Sequence, residues 1–359
     1  MMLFRRRFLH LAGATAALTA TPRIGLAQSA AQGRHQFNRE STNGCGAGFV
    51  WQPMIHAGAD IPALNGYTDT IPDIVGRLGS PIDLAIFTEG NHFPALLGGG
   101  IIGGFRAWAR QHGEYAGLSL DNIVIVTLPQ PMIVSMLLER GISFGNLTLD
   151  VSRMSGFYPD IVMAGAAPLK ALRKASIVDA EARVFARNLG LALVVAAENP
   201  LAVHRLDDLD RADVRIVMAS ESEPGARRQY ISALEGLLGQ QRTRAILARE
   251  TVTFPGRLGI QHRDVIHAVA SRAAEVGIIF HHLAQYYAAA YPQVSTMISV
   301  PGAEQFSSTI AIVLSSNPLR ASAAKAFSEF FLAAAREVYP RHGFAMMNAS
   351  ELGARIELD

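Results

Sequence analysis

The chain has 359 residues, half of them hydrophobic and 17% of them charged, and its formal net charge at pH 7 is +2. This length and hydrophobic content are sufficient for two domains of ordinary size. The single cysteine, Cys45, excludes an internal disulfide, so the fold has to depend on its hydrophobic core.

The first residues contain the three parts of an export signal. FRRRFL at 4–9 is positively charged, the run 11–20 is apolar but diluted with Gly and Thr, and GLA at 25–27 provides small residues before a cut. Paired arginines followed by Phe-Leu indicate the twin-arginine route. The alternative is a membrane anchor, but the apolar run is about half the roughly 20 residues that cross a bilayer. We therefore expect a signal peptide over residues 1–27 and a periplasmic mature protein.

Removal of this signal changes the charge of the chain. Residues 1–27 carry four arginines and no acidic residue, so the mature chain has 28 basic and 30 acidic residues and a formal charge of −2. No block of Lys or Arg remains, so nucleic acid is not expected as a partner.

The mature chain begins irregularly and then alternates between two kinds of pattern. Residues 28–80 are rich in Gly, Pro, Asn and Thr, which predicts an irregular extension. After it, continuous apolar runs predict strands buried on both faces, and amphipathic spacing predicts helices from Pro224 to about Leu238 and over Ser322–Tyr339. This alternation predicts an α/β fold of sheets flanked by helices. The predicted strands are Asp83–Thr88, Asn122–Thr127, Asp160–Ala164, Leu191–Ala196, Arg215–Ala219, Gly277–Phe280 and Thr309–Leu314.

Polar turns follow four of the predicted strands. In open α/β sheets, ligands bind beyond the carboxyl ends of the strands. The helix N-termini there offer unpaired N–H groups and partial positive charge, which suit an oxyanion, and hydroxyl and amide side chains add directed donors. The candidate ligand-binding residues are Thr88, Asn91, His92, Thr127, Ser220, Ser222, Arg227 and His281.

Several of these candidates have an equally good structural interpretation. Thr88 and Ser222 are suited to cap helices. Arg227 is suited to pair with Glu221 or Glu223 on the surface of its helix. The sequence leaves both interpretations open.

Patterns typical of enzymes do not occur in the sequence. It contains no G-x-S-x-G, P-loop, H-E-x-x-H or C-x-x-C pattern, so we predict no enzymatic activity and no cofactor. An enzyme that uses His281 or His282 as a base is a weaker hypothesis, because no activated nucleophile accompanies these residues. Another hypothesis is a binding protein for a metal ion, a metal chelate or a larger organic anion. Its candidate metal ligands are Glu89, His92, Glu221, His281 and His282.

Four stretches, in order along the chain, carry a resemblance to a known family. They are PDIVMAGAAPLKALRKASIVDA (159–180), LALVVAAENPLAVHRLDDLDRADVRIVMASESEPGARRQY (191–230), AAEVGIIFHHLAQYY (273–287) and STIAIVLSSNPLRASAAKAFSEFFLAAAREVYPRHGF (308–344). In this order and spacing they resemble the periplasmic molybdate- and tungstate-binding proteins of ABC importers, which have the type 2 periplasmic binding protein fold.

The resemblance implies a fold, a ligand and a partner. It implies two α/β lobes, residues 81–192 with 310–359 and residues 193–309, joined by hinge strands that allow closure around a ligand. The implied ligand is a small oxyanion, most specifically molybdate or tungstate. The implied partner is an ABC permease in the inner membrane, and we expect the protein to be a monomer.

The sequence departs from the family pattern at the expected ligand site. TEGNH (88–92) stands where the family has a serine after small residues, TLPQP (127–131) replaces a Ser- or Gly-rich loop, and FHH (280–282) replaces a late tyrosine. A carboxylate such as Glu89 close to a bare dianion is unfavourable, because like charges repel strongly between lobes. Either Glu89 points away from the ligand or the ligand is not simple molybdate.

Overall fold

The computed structural model describes residues 71, 73–144, 147–252 and 259–359. The predicted signal peptide, Cys45 and most of the predicted extension lie outside these residues. No helix formed by the described part of the chain combines the length and the hydropathy that crossing a membrane takes.

The described chain forms two mixed β-sheets with helices on their faces, together with a separate hairpin. The strands are β1 Ile74–Val75, β2 Leu84–Phe87, β3 Ile123–Val126, β4 Gly141–Phe144, β5 Leu147–Asp150, β6 Ile161–Ala164, β7 Glu181–Arg187, β8 Leu191–Ala196, β9 Ile216–Met218, β10 Val276–Phe280, β11 Ser295–Ser299, β12 Thr309–Leu314 and β13 Arg355–Glu357. The helices of eight or more residues are α1 Ile101–Gln111, α2 Gln130–Leu138, α3 Ala166–Lys174, α4 Pro224–Leu238, α5 Gln240–Leu247, α6 His262–Ala270, α7 His281–Ala290 and α8 Ala321–Val338.

The larger sheet has seven strands in the order β1-β3-β2-β6-β12-β7-β13. Its centre is parallel, since β2 pairs in parallel with both β3 and β6, whereas β12 and β13 are antiparallel to their neighbours. All residues of β2, β3 and β6 are buried, which explains why these strands lack polar alternation. The carboxyl ends of β2, β3 and β6 therefore lie at one edge of this sheet. We call the part of the chain built on it lobe 1.

The smaller sheet has four strands in the order β11-β8-β10-β9, and it forms the centre of lobe 2. β10 runs parallel to β9 and antiparallel to β8. The chain passes from the larger sheet to the smaller one between β7 and β8, and returns between β11 and β12. This arrangement confirms the predicted α/β class with two helix-flanked sheets.

Two buried residues shape the hinge between the sheets. The side-chain oxygen of Asn188 accepts hydrogen bonds from the N–H groups of Gly190 and Ser308, each at 3.1 Å, so it ties the outgoing segment to the returning one. The Asn188 amide also donates to Ser308 Oγ at 2.7 Å. Gly190 has a φ of +74°, and a Cβ placed on it would lie 2.0 Å from the Ala303 carbonyl oxygen. Only glycine fits there.

All seven predicted strands and both predicted helices occur, with shifts of at most one residue at most ends. The predicted irregular extension is wrong at its end, where Ile74 and Val75 are buried and pair antiparallel with β3. Strands β7 and β11 were not predicted, because their apolar residues are interrupted by charged and hydroxyl side chains.

Candidate functional site

The candidate site lies where the strand ends of the two lobes face each other. Lobe 1 contributes the turns after β2 and β3. Lobe 2 contributes the turn after β9 and the first residues of α6. Their proximity follows from direct contacts between the side chain of Arg263, at the start of α6, and Thr127, at the end of β3.

The turn after β2 leads directly into a short 3-10 helix, Gly90–His92. The Thr88 N–H donates to the Val126 carbonyl oxygen at 2.8 Å, which continues the parallel pairing of β2 and β3 by one bond. The Asn91 amide donates to a carboxylate oxygen of Glu89 at 2.7 Å. Thr88, Asn91 and Thr127 are therefore brought together in two adjacent turns, as predicted for parallel strand ends.

The Glu89 side chain is partly buried and interacts electrostatically with His262 and Glu223 of lobe 2. Its pKa is raised from 4.5 to about 7, chiefly by burial; His262 opposes this shift and the charge of Glu223 adds to it. The carboxyl group of Glu89 therefore holds a proton over a range of pH in which an exposed glutamate is ionised. In its neutral form it is a hydrogen-bond donor.

Lobe 2 faces Glu89 with a buried chain of three polar side chains. The His262 imidazole contacts the carboxylate of Glu223 through Nδ1 and the hydroxyl of Tyr230 through Nε2, the latter at 2.6 Å. Burial acts to lower the pKa of His262, but the charge and hydrogen bond of Glu223 outweigh it, and the net direction is upward. The protonated imidazole is thus stabilised between a carboxylate and a phenol.

Arg263, the next residue, reaches across to lobe 1. Its guanidinium group forms an ion pair with the carboxylate of Asp73, and its Nη2 donates to the Thr127 carbonyl oxygen at 2.5 Å. Both side chains of the ion pair are mostly buried, at 16% exposure for Arg263 and 15% for Asp73. The structure therefore places a cationic group beside the predicted anion-binding turns.

Ser220 and Ser222 hold the segment that leads into α6. The hydroxyl of Ser220 accepts a hydrogen bond from the Ile260 N–H at 3.0 Å, and the hydroxyl of Ser222 donates to the Ile260 carbonyl oxygen at 3.1 Å. These hydroxyls position the residues before His262 and Arg263.

The guanidinium of Arg227 is held by carboxylates of its own lobe and by the Ala219 carbonyl oxygen, to which Nη1 donates at 3.2 Å. Its guanidinium makes two hydrogen bonds to Glu250, at 2.6 and 2.8 Å, and a third contact to Glu221 at 3.1 Å. The predicted structural pairing of Arg227 with Glu221 therefore occurs.

The histidines lie nearer the hinge, around the ring of Phe344. His92 and His282 both stack on this ring, with centroid distances of 5.7 and 4.1 Å. No described residue hydrogen-bonds to the ring nitrogens of either histidine, and burial lowers the pKa of His92 to about 3. Burial also lowers the pKa of His282 well below its ordinary value, so the surroundings of both rings favour the neutral imidazole. His281 is partly buried, and its Nδ1 lies 3.2 Å from the Gly343 carbonyl oxygen.

The proposed set of metal ligands does not assemble. Within residues 71, 73–144, 147–252 and 259–359, no group of three or more His, Cys, Asp or Glu residues could hold a metal ion. His92 and His282 face aromatic rings instead, and the side chain of Glu221 is 82% exposed beside Arg227.

The sequence analysis did not predict the residues that form the most highly charged part of the site. Tyr230, His262, Arg263 and Asp73 do not follow a predicted strand, so the rule that ligands bind at strand ends did not select them. One local signal was available, because Gln261 and Asp264 form a capping box that marks the start of α6. That signal locates the helix N-terminus, but it does not reveal which residues face it.

The match to known proteins agrees with this geometry. The family model for bacterial extracellular solute-binding proteins matches residues 141–345, more than half of the chain. No curated protein matches the sequence. Among solved structures, the sulfate-binding protein SubI from Mycobacterium tuberculosis is 14% identical with a TM-score of 0.52, over 75% of this chain and 88% of that chain.

Two further structures are similar at lower scores. The periplasmic molybdate-binding protein of Azotobacter vinelandii is 16% identical with a TM-score of 0.48, over 74% of this chain and 100% of that chain. Iron-bound HitA from Pseudomonas aeruginosa is 13% identical with a TM-score of 0.45, over 76% of this chain and 89% of that chain. At 14% identity, the likeness to SubI shows the fold alone and leaves the ligand open. With two facing α/β lobes and a family match over more than half of the chain, the chain belongs to the bacterial extracellular solute-binding proteins.

Proposed function

We propose that the protein is a periplasmic receptor that binds an oxyanion between its lobes and delivers it to an ABC permease. Molybdate and tungstate are the first candidates. The observation that carries the proposal is the convergence of the turns after β2 and β3 with the start of α6, where Arg263 crosses between the lobes. Binding sites of two-lobed α/β proteins are expected at such facing strand ends.

The chemistry of these turns favours an oxyanion. The first N–H groups of α2 and α6 have no partner within their own helices and carry partial positive charge. The Arg263 guanidinium adds a full positive charge with a planar set of donors. We assign ligand contacts to Thr88, Asn91 and Thr127 in lobe 1. Ser220 and Ser222 support the site from lobe 2.

The partly buried position of Glu89 bears on which anion is bound. An ionised Glu89 repels a dianion, whereas its neutral form donates a hydrogen bond to an anion oxygen. Its pKa of about 7 makes the neutral form accessible near neutral pH. An oxyanion is therefore compatible with Glu89 when this carboxyl group is protonated.

A larger organic anion is a second candidate, and the pair Glu89 and Glu223 favours it. Two carboxyl groups beside one another are a poor environment for a bare dianion, but they suit a ligand that also carries hydrogen-bond donors. Such a ligand would place its anionic end at Arg263 and its donors at the carboxylates.

The lobe boundaries at residues 193 and 310 also belong to the proposal. The chain passes between the sheets just before these positions, from β7 to β8 and from β11 to β12, which supports boundaries in their neighbourhood.

Calorimetric titration of the mature protein tests the proposed function. We expect heat of binding with molybdate or tungstate at micromolar concentration, and less or none with sulfate. A parallel thermal-shift screen with small organic acids and divalent metals tests the second candidate, because a ligand that binds the native state raises its stability. Absence of heat with all three oxyanions, together with a thermal shift from an organic anion, would replace the first candidate by the second.

A further inference from the structure

The contact between Arg263 and Asp73 joins the two lobes at the candidate site. Asp73 lies immediately before β1, and its backbone carbonyl accepts a hydrogen bond from the Thr127 N–H at 2.9 Å. Arg263 lies in the first turn of α6 in lobe 2. The ion pair therefore links the edge of the larger sheet to the start of a helix on the smaller one.

The guanidinium group lies where the sequence places the anion-binding turns. It contacts the backbone at the end of β3 through Thr127. It also lies against the turn after β2, because a Cβ placed on Gly90 would be only 2.7 Å from Arg263 Nη2. The positive charge thus occupies the junction of the two turns.

A carboxylate is a chemical analogue of the expected ligand at this position. Carboxylates and tetrahedral oxyanions both offer two oxygens at a spacing that matches the fork of a guanidinium group. The Asp73 carboxylate therefore binds Arg263 in the way that we expect of an oxyanion ligand. Displacement of the Asp73 carboxylate from Arg263 would make Nη1 available to an anion oxygen.

The charged groups around Arg263 show which cation at the site could exchange its carboxylate partner for a bound anion. Glu89 and Glu223 interact electrostatically with His262, and the His262 imidazole is held by Glu223 and Tyr230. His262 therefore has a carboxylate partner, Glu223, within its own lobe. Arg263, in contrast, has a carboxylate partner from the opposite lobe, Asp73.

We propose that Arg263 is the cationic contact for the bound oxyanion, and that Asp73 competes with the ligand for it. The inference rests on the proposed function, because it names the residue that recognises the anion at that site. Ligand binding then exchanges an internal ion pair for an ion pair with the ligand, and Asp73 sets the affinity.

Substitution of the two partners tests the competition by calorimetry with molybdate, tungstate and sulfate. Asp73→Asn keeps the shape of the side chain and removes its charge, so we expect oxyanion affinity to rise by about tenfold, as for one charge-assisted hydrogen bond. Arg263→Gln should lower the affinity by at least about tenfold. Arg263→Lys keeps the positive charge but lacks the planar pair of donors, so its oxyanion affinity should lie between those of Arg263→Gln and the wild type.

The exposed pair Arg211 and Asp213 provides matched controls. Arg211 Nη2 lies 2.7 Å from Asp213, and both residues precede β9 at the end opposite the site. Asp213→Asn and Arg211→Gln should leave oxyanion affinity unchanged. Thermal unfolding of every variant establishes that it is folded, and if Asp73→Asn does not fold, the order of Arg263→Lys and Arg263→Gln decides.

The outcomes separate this inference from the proposed function. If the wild type binds an oxyanion and neither Asp73→Asn nor Arg263→Gln changes its affinity, the inference is wrong and the proposed function stands. If neither the wild type nor Asp73→Asn binds any of the three oxyanions, both are wrong. If Asp73→Asn binds an oxyanion and the wild type does not, both the inference and the proposed function are supported, because competition by the Asp73 carboxylate explains why the wild type shows no binding.

Discussion

At the scale of single residues, Glu89 makes the stability of the fold depend on pH. The folded carboxyl group keeps its proton up to about pH 7, whereas an unfolded one releases it near 4.5. The folded state therefore binds more protons across this window, and the free energy of unfolding decreases as the pH rises through it. Above about pH 7 the loss is complete.

Glu89→Gln should remove this dependence. The variant should unfold at the same denaturant concentration as the wild type at pH 4. At pH 8 it should be more stable by about 1–2 kcal/mol, a value reduced from the full shift because Glu89 is only partly buried. Denaturant unfolding at both values of pH measures the difference. The exposed residue Glu304 supplies the control, since Glu304→Gln should change neither midpoint; equal stability of Glu89→Gln and wild type at pH 8 would contradict the prediction.

The residues that were predicted and those that were missed differ in one physical respect. Thr88, Asn91 and Thr127 follow apolar strands directly, so local sequence is enough to place them. Arg263 and Asp73 are 190 positions apart and meet only through the packing of two lobes. Two charged residues so far apart in sequence form no periodic pattern, so a single sequence does not indicate that they pair.

At the scale of the elements, the hinge depends on Asn188. Its side chain accepts from Gly190, from Ser308 and, at 3.1 Å, from the Gln229 amide, and it donates to the Ser308 hydroxyl. Asn188 is 2% exposed and Gly190 is buried, so water does not replace the bond to the Gly190 N–H when the side chain is removed. The residue therefore joins both hinge segments to helix α4.

Asn188→Ala should lower the free energy of unfolding by about 1–3 kcal/mol, because it leaves the buried N–H group of Gly190 unpaired. Asn188→Asp keeps the accepting oxygen and should be less destabilised. Urea unfolding followed by circular dichroism measures both variants. A wild-type midpoint for Asn188→Ala would show that the hinge does not depend on this side chain.

The strands show the same division between local and non-local information. The seven predicted strands are continuous apolar runs, and six of them are buried along nearly their whole length, as such runs require. β7 has the sequence EARVFAR and β11 has the sequence STMIS, and their polar residues interrupt the continuous apolar run by which the other strands were predicted. β1 is only two residues long and is specified by its partner β3.

At the scale of the whole molecule, one cluster of buried apolar side chains extends through both lobes. It includes Leu84 and Ile86 of the larger sheet together with Leu193 and Ile278 of the smaller one. A core shared in this way couples the lobes energetically, although the chain divides between two sheets.

We therefore expect the mature protein to unfold in a single cooperative transition. Differential scanning calorimetry should give a calorimetric enthalpy equal to the van't Hoff enthalpy. A saturating ligand should shift this transition as a whole to higher temperature. Two resolved transitions, with only one of them shifted by ligand, would show that the lobes unfold independently.

The ends of the larger sheet bear on how the protein behaves at high concentration. Its outer strands are β1, with two buried residues, and β13, with three residues that include the exposed Arg355 and Glu357. Short, charged edge strands give another chain little backbone to pair with, which opposes aggregation through the sheet edge. The edge formed by the last strand of the larger sheet is thereby protected against pairing with a second copy of the chain.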